Sequence, residues 1–167
     1  MTLYTTMDSP LGELLLVGEE SGTTEGGTAL ASLSVPGQKH GMFVQDGWIE
    51  KPEAFTAIVA QLRAYFDGGL TVFGLEYVTS GSAFQRQVWA AVESIPYGAT
   101  LTYGDLARQI GAPAAVRAVG AAIGANPLMV VRPCHRVVGA GGAPTGYAGG
   151  LQRKQQLLDL EHAGQLA

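Results

Sequence analysis

Thr102-Tyr103-Gly104-Asp105-Leu106-Ala107-Arg108-Gln109-Ile110, followed by Gly111-Ala112-Pro113 and then Ala114 to Ile123, is the stretch on which the fold turns. Thr102 is suited to cap a helix, and Asp105 falls in its first turn, where negative charge meets the positive end of the helix dipole. Leu106 and Ile110 give this short helix a buried face. Gly111-Ala112-Pro113 makes a tight connection, and Pro113 fits the first turn of a second helix, Ala114 to Ile123. Gly124 and Pro127 end it. Two short helices joined by a Gly-containing turn are the pattern of a helix-turn-helix, although helical cores that bind nothing use it too. The second helix is built of small residues, among them Ala114, Ala115, Ala118, Gly120, Ala121 and Ala122, with Arg117 as its one charge. Such a face suits close approach to a groove or close packing of another helix. Arg117 reads equally as a probe for a base stack and as a solvated surface charge.

The sequence before this motif divides in two. Ser82, with Gln85 three residues on, forms a capping box for a helix with Phe84, Val88, Trp89, Val92 and Ile95 on one face, ended by Pro96 and Gly98. Val78 to Ser82 is a polar boundary. Residues 1–78 read as a small supporting domain of mixed α and β structure, and 79–167 as a mainly helical second domain, an α/β (α+β) chain overall. In the first domain Leu14 to Val17 is an apolar run between glycines. Ala29, Ala31, Leu33 and Val35 alternate, and Val72 to Tyr77 suggests a further strand. Phe55, Ile58, Val59, Leu62 and Phe66 recur at helical spacing until Asp67-Gly68-Gly69. Gly18 to Gly27 reads as an exposed loop.

Composition sets outer limits. The chain has 167 residues, 47% hydrophobic and 14% charged, enough apolar content to build a core and too much for global disorder. One cysteine, Cys134, excludes a disulfide scaffold and suits a reducing compartment. With neither a long apolar run nor a basic-then-apolar leader, the expected location is the cytoplasm, with no membrane partner. The net charge of −4 is unevenly spread: residues 1–82 carry −7 and residues 83–167 carry +3. That asymmetry hints at a polyanion-facing second half, and an ordinary solvated surface would show it too.

Arg132-Pro133-Cys134-His135-Arg136-Val137-Val138 carries the chemistry. A lone cysteine is commonly a small buried hydrophobe. Here Pro133 fixes the chain, Arg132 and Arg136 would favour a thiolate if close, and His135 is a candidate base. A thiol with an ordinary pKa of about 8.5 needs such activation. Neighbours along a strand point to opposite faces, so His135 would need a bend or a bridging water to serve Cys134. A base of this kind needs a third group to orient it, and Glu161, near the end of a helix expected over Leu151 to Leu160, is the candidate. The Gly139 to Gly150 segment holds six glycines and Tyr147, an arrangement that lets a flat ligand lie against the backbone or forms a surface loop.

Pro133-Cys134-His135-Arg136-Val137 resembles the active-site signature of the O6-alkylguanine-DNA alkyltransferases. The resemblance runs from Phe84 to Glu161 through Ile95-Pro96-Tyr97-Gly98, Thr102-Tyr103-Gly104, Arg117-Ala118-Val119-Gly120, Asn126-Pro127, Gly146-Tyr147, Gly149-Gly150-Leu151 and Leu157-Leu158. Residues before Phe84 are similar only in Asp8-Ser9-Pro10-Leu11-Gly12 and Tyr65-Phe66. The resemblance implies irreversible transfer of an alkyl group from O6 of guanine, and less well from O4 of thymine, to Cys134. It implies that His135 acts as base through a water, that Glu161 orients it, and that Asn126 holds the helix-turn-helix to the active-site segment. Tyr103 would turn the phosphate and protonate the leaving guanine. Arg117 would fill the gap left in the stack, with Ala115, Ala118 and Gly120 against the minor groove of double-stranded DNA. Tyr147, Val137, Ala148 and Met129 would line the base pocket. Val116 and Ala148 depart from the usual alanine and serine. The zinc ligands of some members are missing, so no metal and no cofactor are expected, and the protein is expected to be a monomer. Two other readings compete: a non-catalytic lesion-binding protein of the alkyltransferase-like type, in which the cysteine is replaced, and a cysteine hydrolase or redox sensor, which leaves Arg117 and Asn126 without a role.

Overall fold

The structure, a computed structural model, describes residues 1–21, 27–39, 41–142 and 146–166, the last four of them by their backbone alone. The chain divides into two compact units, Met1–Thr79 and Ser80–Ala167. The first is mixed α/β and the second mostly helical.

In the first unit β1 (Thr2–Ser9), β2 (Gly12–Glu20), β3 (Thr28–Ser34) and β4 (Ile49–Glu50) form one sheet in the order β3-β2-β1-β4. The first three strands pair antiparallel, and β4 runs parallel to β1. Leu3, Thr5 and Met7 of β1 and Leu14 and Leu16 of β2 are buried, the period-two pattern of a sheet with one covered face. A 3₁₀ turn at Pro52–Phe55 leads into α1 (Thr56–Phe66), which buries Ile58, Leu62 and Tyr65. Gly18 sits at a bulge opposite β3. A Cβ there would stand 2.7 Å from the Ala29 carbonyl oxygen, so the close strand approach requires glycine.

Two expectations for this unit need correction. Val72 to Tyr77 is not a strand: Tyr77 makes one isolated parallel bridge to Leu30. Gly74 instead exchanges two hydrogen bonds with the Gln61 side chain, and Val72 is 76% exposed. The Gln61 side chain of α1, and not a neighbouring strand, satisfies the Gly74 backbone, so the apolar composition does not decide the conformation. The loop expected over Gly18 to Gly27 begins later, because β2 continues to Glu20; residues 22–26 of it lie outside the described residues.

The second unit opens with α2 (Ala83–Glu93), and its Ser82–Gln85 capping box forms as expected. The two-residue β5 (Leu101–Thr102) feeds α3 (Tyr103–Gln109), capped reciprocally by Thr102 and Asp105. After the turn comes α4 (Val116–Gly124), two residues later than expected, because Pro113 and Ala114 lie in the connection. β5 pairs parallel with β6 (Val137–Val138), and α5 (Leu151–Leu166) extends six residues past Leu160. The core gathers Val88, Trp89 and Val92 of α2, Leu106 and Ala107 of α3, and Val119, Ala122 and Ile123 of α4, with Cys134 and Val137. Trp89 donates its Nε1–H to the Ala122 carbonyl at 2.8 Å, which fixes α2 against α4 while satisfying the buried indole. Among the described residues no helix is long and apolar enough to cross a membrane.

Candidate active site

The chain leaves α4 at Asn126, and that side chain builds the next ten residues. Its Oδ1 accepts from the Leu128 N–H at 2.9 Å and from Arg132 at 3.2 Å. Its Nδ2 faces the Leu128 carbonyl at 3.1 Å, the Arg132 carbonyl at 3.4 Å and the Cys134 Sγ at 3.1 Å. An amide with two donors and an acceptor is suited to hold an irregular turn whose carbonyls point inward. The turn is tightly wound. Val130 has φ +67°, a left-handed conformation that costs a β-branched residue on the order of 1–3 kcal/mol and persists only where its surroundings over-determine it. The backbone of Val130 also hydrogen-bonds the Tyr147 hydroxyl.

Cys134–Arg136 forms one 3₁₀ turn and not a strand, so the alternation anticipated for Cys134 and His135 does not apply. All three residues are buried. Cys134, 3% exposed, is a free thiol. Burial pushes its pKa up to about 12, against the Asn126 hydrogen bond and the charges of Arg132 and Lys154. The resting sulfur is therefore a protonated, shielded thiol.

His135 lies in the protein interior with Nε2 2.7 Å from Glu161 Oε2. An ionised carboxylate only accepts, so Nε2 carries the hydrogen and Nδ1 keeps its lone pair. Nδ1 is buried and has no hydrogen-bond partner among the described residues. Burial lowers the imidazole pKa, with Glu161 working against it, so the ring is neutral and able to take a proton.

Glu161 is also gripped by Arg136, through Nε to Oε1 at 2.7 Å and Nη2 to Oε2 at 3.0 Å. Arg136 Nη1 donates to the Ile95 carbonyl at 2.7 Å. The expectation that both arginines would favour a thiolate is thus half met. Arg132 acts on the sulfur and pairs with Glu93 at 3.0 Å. Arg136 is committed to Glu161, the carboxylate bonded to His135. This fork was absent from the sequence reasoning, and so was Lys154. Fully buried, Lys154 donates to the Val137 carbonyl at 2.6 Å and the Gly146 carbonyl at 3.1 Å. A signal existed: Lys154, Leu157 and Glu161 share a helical stripe, and all three are buried.

Val137 and Met129 are buried, and Tyr147 and Ala148 are half-buried. Residues 143–145 of the glycine-rich segment lie outside the described residues. Tyr103, the first residue of α3, stands with its ring 6.0 Å from Lys154 Nζ and its hydroxyl beside Gly146. Burial raises the pKa of Tyr147, which keeps its hydroxyl protonated. On α4, Val119, Ala122 and Ile123 face inward, while Arg117 and Ala118 are exposed and Ala115 and Gly120 half-buried. A Cβ on Gly120 or Gly124 would meet nothing within 4 Å, so the helix is open at these two positions, while Ala122 packs in the core. Among the described residues no group of three His, Cys, Asp or Glu could hold a metal ion.

Residues 83–163 match the family described as 6-O-methylguanine DNA methyltransferase, DNA binding domain, and residues 2–77 match its ribonuclease-like domain. The chain is 51% identical over 161 residues to a methylated-DNA–protein-cysteine methyltransferase of Mycolicibacterium paratuberculosis, covering 96% of this chain and 93% of that one. The chain belongs to the methylated-DNA–protein-cysteine methyltransferase family. A Methanosarcina acetivorans methyltransferase of the same name is 44% identical over 158 residues, covering 95% of this chain and 97% of its own. The crystal structure of Mycobacterium tuberculosis OGT in complex with DNA superposes with a TM-score of 0.87 at 46% identity, over 97% of this chain and 94% of that one. Within this methyltransferase the buried thiol, the imidazole–carboxylate pair and the open helix therefore come from one contiguous unit, Ser80–Ala167.

Proposed function

We propose that this protein repairs DNA by moving the alkyl group of O6-alkylguanine, and less readily of O4-alkylthymine, onto its own Cys134. The observation that carries the reading is the interior arrangement of a thiol held by Asn126 next in sequence to an imidazole whose Nε2 is tied to Glu161 and whose Nδ1 lone pair is uncommitted. Family membership supports the same reading, and the Mycobacterium tuberculosis relative crystallised with DNA supports DNA as the partner.

The Cys134 Sγ–H proton passes through a water to His135 Nδ1, and Glu161 steadies the imidazolium. The sulfur attacks the alkyl carbon in line. The S–C bond forms, the C–O6 bond breaks, and its electron pair stays on the guanine. The guanine leaves neutral after taking a proton from the Tyr103 hydroxyl, and the proton held on the His135 imidazolium returns to the Tyr103 oxygen through solvent. The net exchange is a thiol proton for an alkyl group, with no redox partner. The resulting thioether has no leaving group the site can use, so each molecule acts once. A thiol with a pKa near 12 stays protonated until this relay acts, which protects it from unrelated electrophiles.

O6 of guanine is enclosed in a duplex, so the nucleotide must be turned out at a cost of a few kcal/mol. Arg117, exposed on α4, fills the space it leaves, while Ala115, Ala118 and Gly120 allow the helix to enter the minor groove closely. Tyr147, Val137, Ala148 and Met129 receive the base. Met1–Thr79 supports the second unit, and the protein acts as a monomer in the cytoplasm, a reducing compartment that a single free thiol suits.

The test is to incubate the protein with duplex DNA bearing O6-methylguanine and weigh it intact. The mass should rise by one methyl, and Cys134→Ala should show no rise. Binding without a mass gain would replace this reading with the lesion-binding one.

A further inference from the structure

Arg132 stands two residues before Cys134, just after the left-handed turn at Val130, and it is only 8% exposed. A guanidinium so placed persists only where its donors are matched. Its Nε donates to Glu93 Oε1 at 3.0 Å and its Nη1 to Asn126 Oδ1 at 3.2 Å, while its central carbon lies 4.7 Å from the centre of the Trp89 ring. Trp89 and Glu93 are four residues apart on α2, so one face of that helix offers the cation both an aromatic surface and a carboxylate.

The contact with Asn126 bears on which way that amide points. The two ends of an amide differ in role and hardly in shape. Turned over, the Asn126 amide would set its oxygen against the Leu128 and Arg132 carbonyls and the sulfur, and its nitrogen against the Leu128 N–H and the guanidinium. Arg132 opposes this from both sides. Its own carbonyl lies 3.4 Å from Asn126 Nδ2 and also accepts from the Cys134 N–H at 2.7 Å. A guanidinium has donors only, so it cannot serve a turned amide as a hydroxyl could.

We propose that Arg132 is a positioning residue of alkyl transfer: anchored on Trp89 and Glu93 of α2, its guanidinium holds the Asn126 amide so that Nδ2–H stays on the Cys134 sulfur while the thiolate develops. The proposal rests on the alkyltransferase reading. A donor held on sulfur favours the anion over the thiol, and an amide whose oxygen is bonded to a cation is polarised into a stronger donor. Glu93 serves as the anchor and not as a charge on the sulfur, because its carboxylate opposes the thiolate that Asn126 and Arg132 favour. The last turn of α2 is in this way joined to the sulfur through Glu93, Arg132 and Asn126.

The experiment follows methyl transfer in excess duplex bearing O6-methylguanine, in wild type, Arg132→Met, Asn126→Ser and the double variant. The amplitude reports the fraction of competent protein, and the rate constant reports the site. Arg132→Met should bind the duplex within about twofold of wild type and transfer about tenfold more slowly at full amplitude, and the double variant should be no slower than Asn126→Ser. A wild-type rate constant in Arg132→Met, a loss confined to amplitude, or losses that multiply in the double variant overturns the proposal. Should Arg132→Met or an Asn126 variant fail to fold, Arg132→Lys decides. One ammonium does not span Glu93 and Asn126 as the fork does, so the rate constant should drop at full amplitude and unchanged duplex affinity, and a wild-type rate constant overturns the proposal. Wild-type protein that gains no methyl would instead remove the alkyltransferase reading.

Discussion

Glu161 is where chemistry and stability meet at the scale of a single residue. It accepts from His135 and from both arms of Arg136 in the protein interior. Glu161→Gln keeps the shape and removes the charge, leaving Arg136 buried without its counter-charge. Uncompensating a buried ion costs on the order of 3–5 kcal/mol, and transfer should slow well beyond any loss of DNA affinity. Denaturant midpoints, transfer rates and duplex affinity together check this; equal losses of rate and affinity would remove Glu161 from the relay. His135 carries a pH signature of its own. Its folded pKa lies below the unfolded value, so as pH falls below about 6.5 the unfolded chain binds a proton that the folded one does not, and stability declines. Unfolding midpoints at about pH 7 and about pH 5.5 should differ more in wild type than in His135→Gln. Equal differences would mean that the imidazole is not held neutral. The sequence offered Cys134, His135 and Glu161 as thiol, base and orienting carboxylate, and the resemblance implied the same roles. Lys154 stayed hidden because one lysine on a helix looks solvated until its stripe is placed against Leu157.

Helix α4 is the element the proposed function sets against DNA. Its sequence left open whether the small residues pack another helix or meet a groove, since both uses select for the same residues. Ala122 packs in the core and the space over Gly120 and Gly124 is open, a division that could not be read from composition. Gly120→Ala should stabilise the protein by about 0.5–1 kcal/mol, because a helix-interior glycine carries an entropic penalty and the added methyl meets nothing. Gly120→Leu should keep that stability and weaken duplex binding, because bulk then stands where the groove wall must come. Thermal melts and a binding titration distinguish the two effects; unchanged affinity in Gly120→Leu would place DNA elsewhere. Arg117→Ala should slow reaction with duplex DNA more than with a free modified base, and matching losses would make the arginine structural. Helix caps were legible because Ser82 and Thr102 act locally. Strand β1 was not anticipated: Leu3, Thr5 and Met7 line its buried side, and a threonine in that row blunts the apolar alternation. The Val72 to Tyr77 stretch failed the other way, since apolar residues with a single bridge, Tyr77 to Leu30, make no strand.

The charge asymmetry of the sequence takes on meaning at the scale of the whole molecule. The half that carries +3 contains the open helix and the thiol, and the half that carries −7 contains neither. A small positive excess suits sequence-independent binding through a few phosphates, with affinity that weakens as salt rises. The sequence suggests a boundary at Val78 to Ser82, where polar residues and a glycine interrupt two apolar patterns. The central claim is that Cys134 is a single-use acceptor. Its most direct test is to give the protein an excess of duplex bearing O6-methylguanine, follow methyl transfer to completion, and map the product by peptide mass. Transfer should stop at one methyl per protein molecule, all of it on Cys134. Continued turnover beyond one equivalent, or methyl on any other residue, would contradict the account.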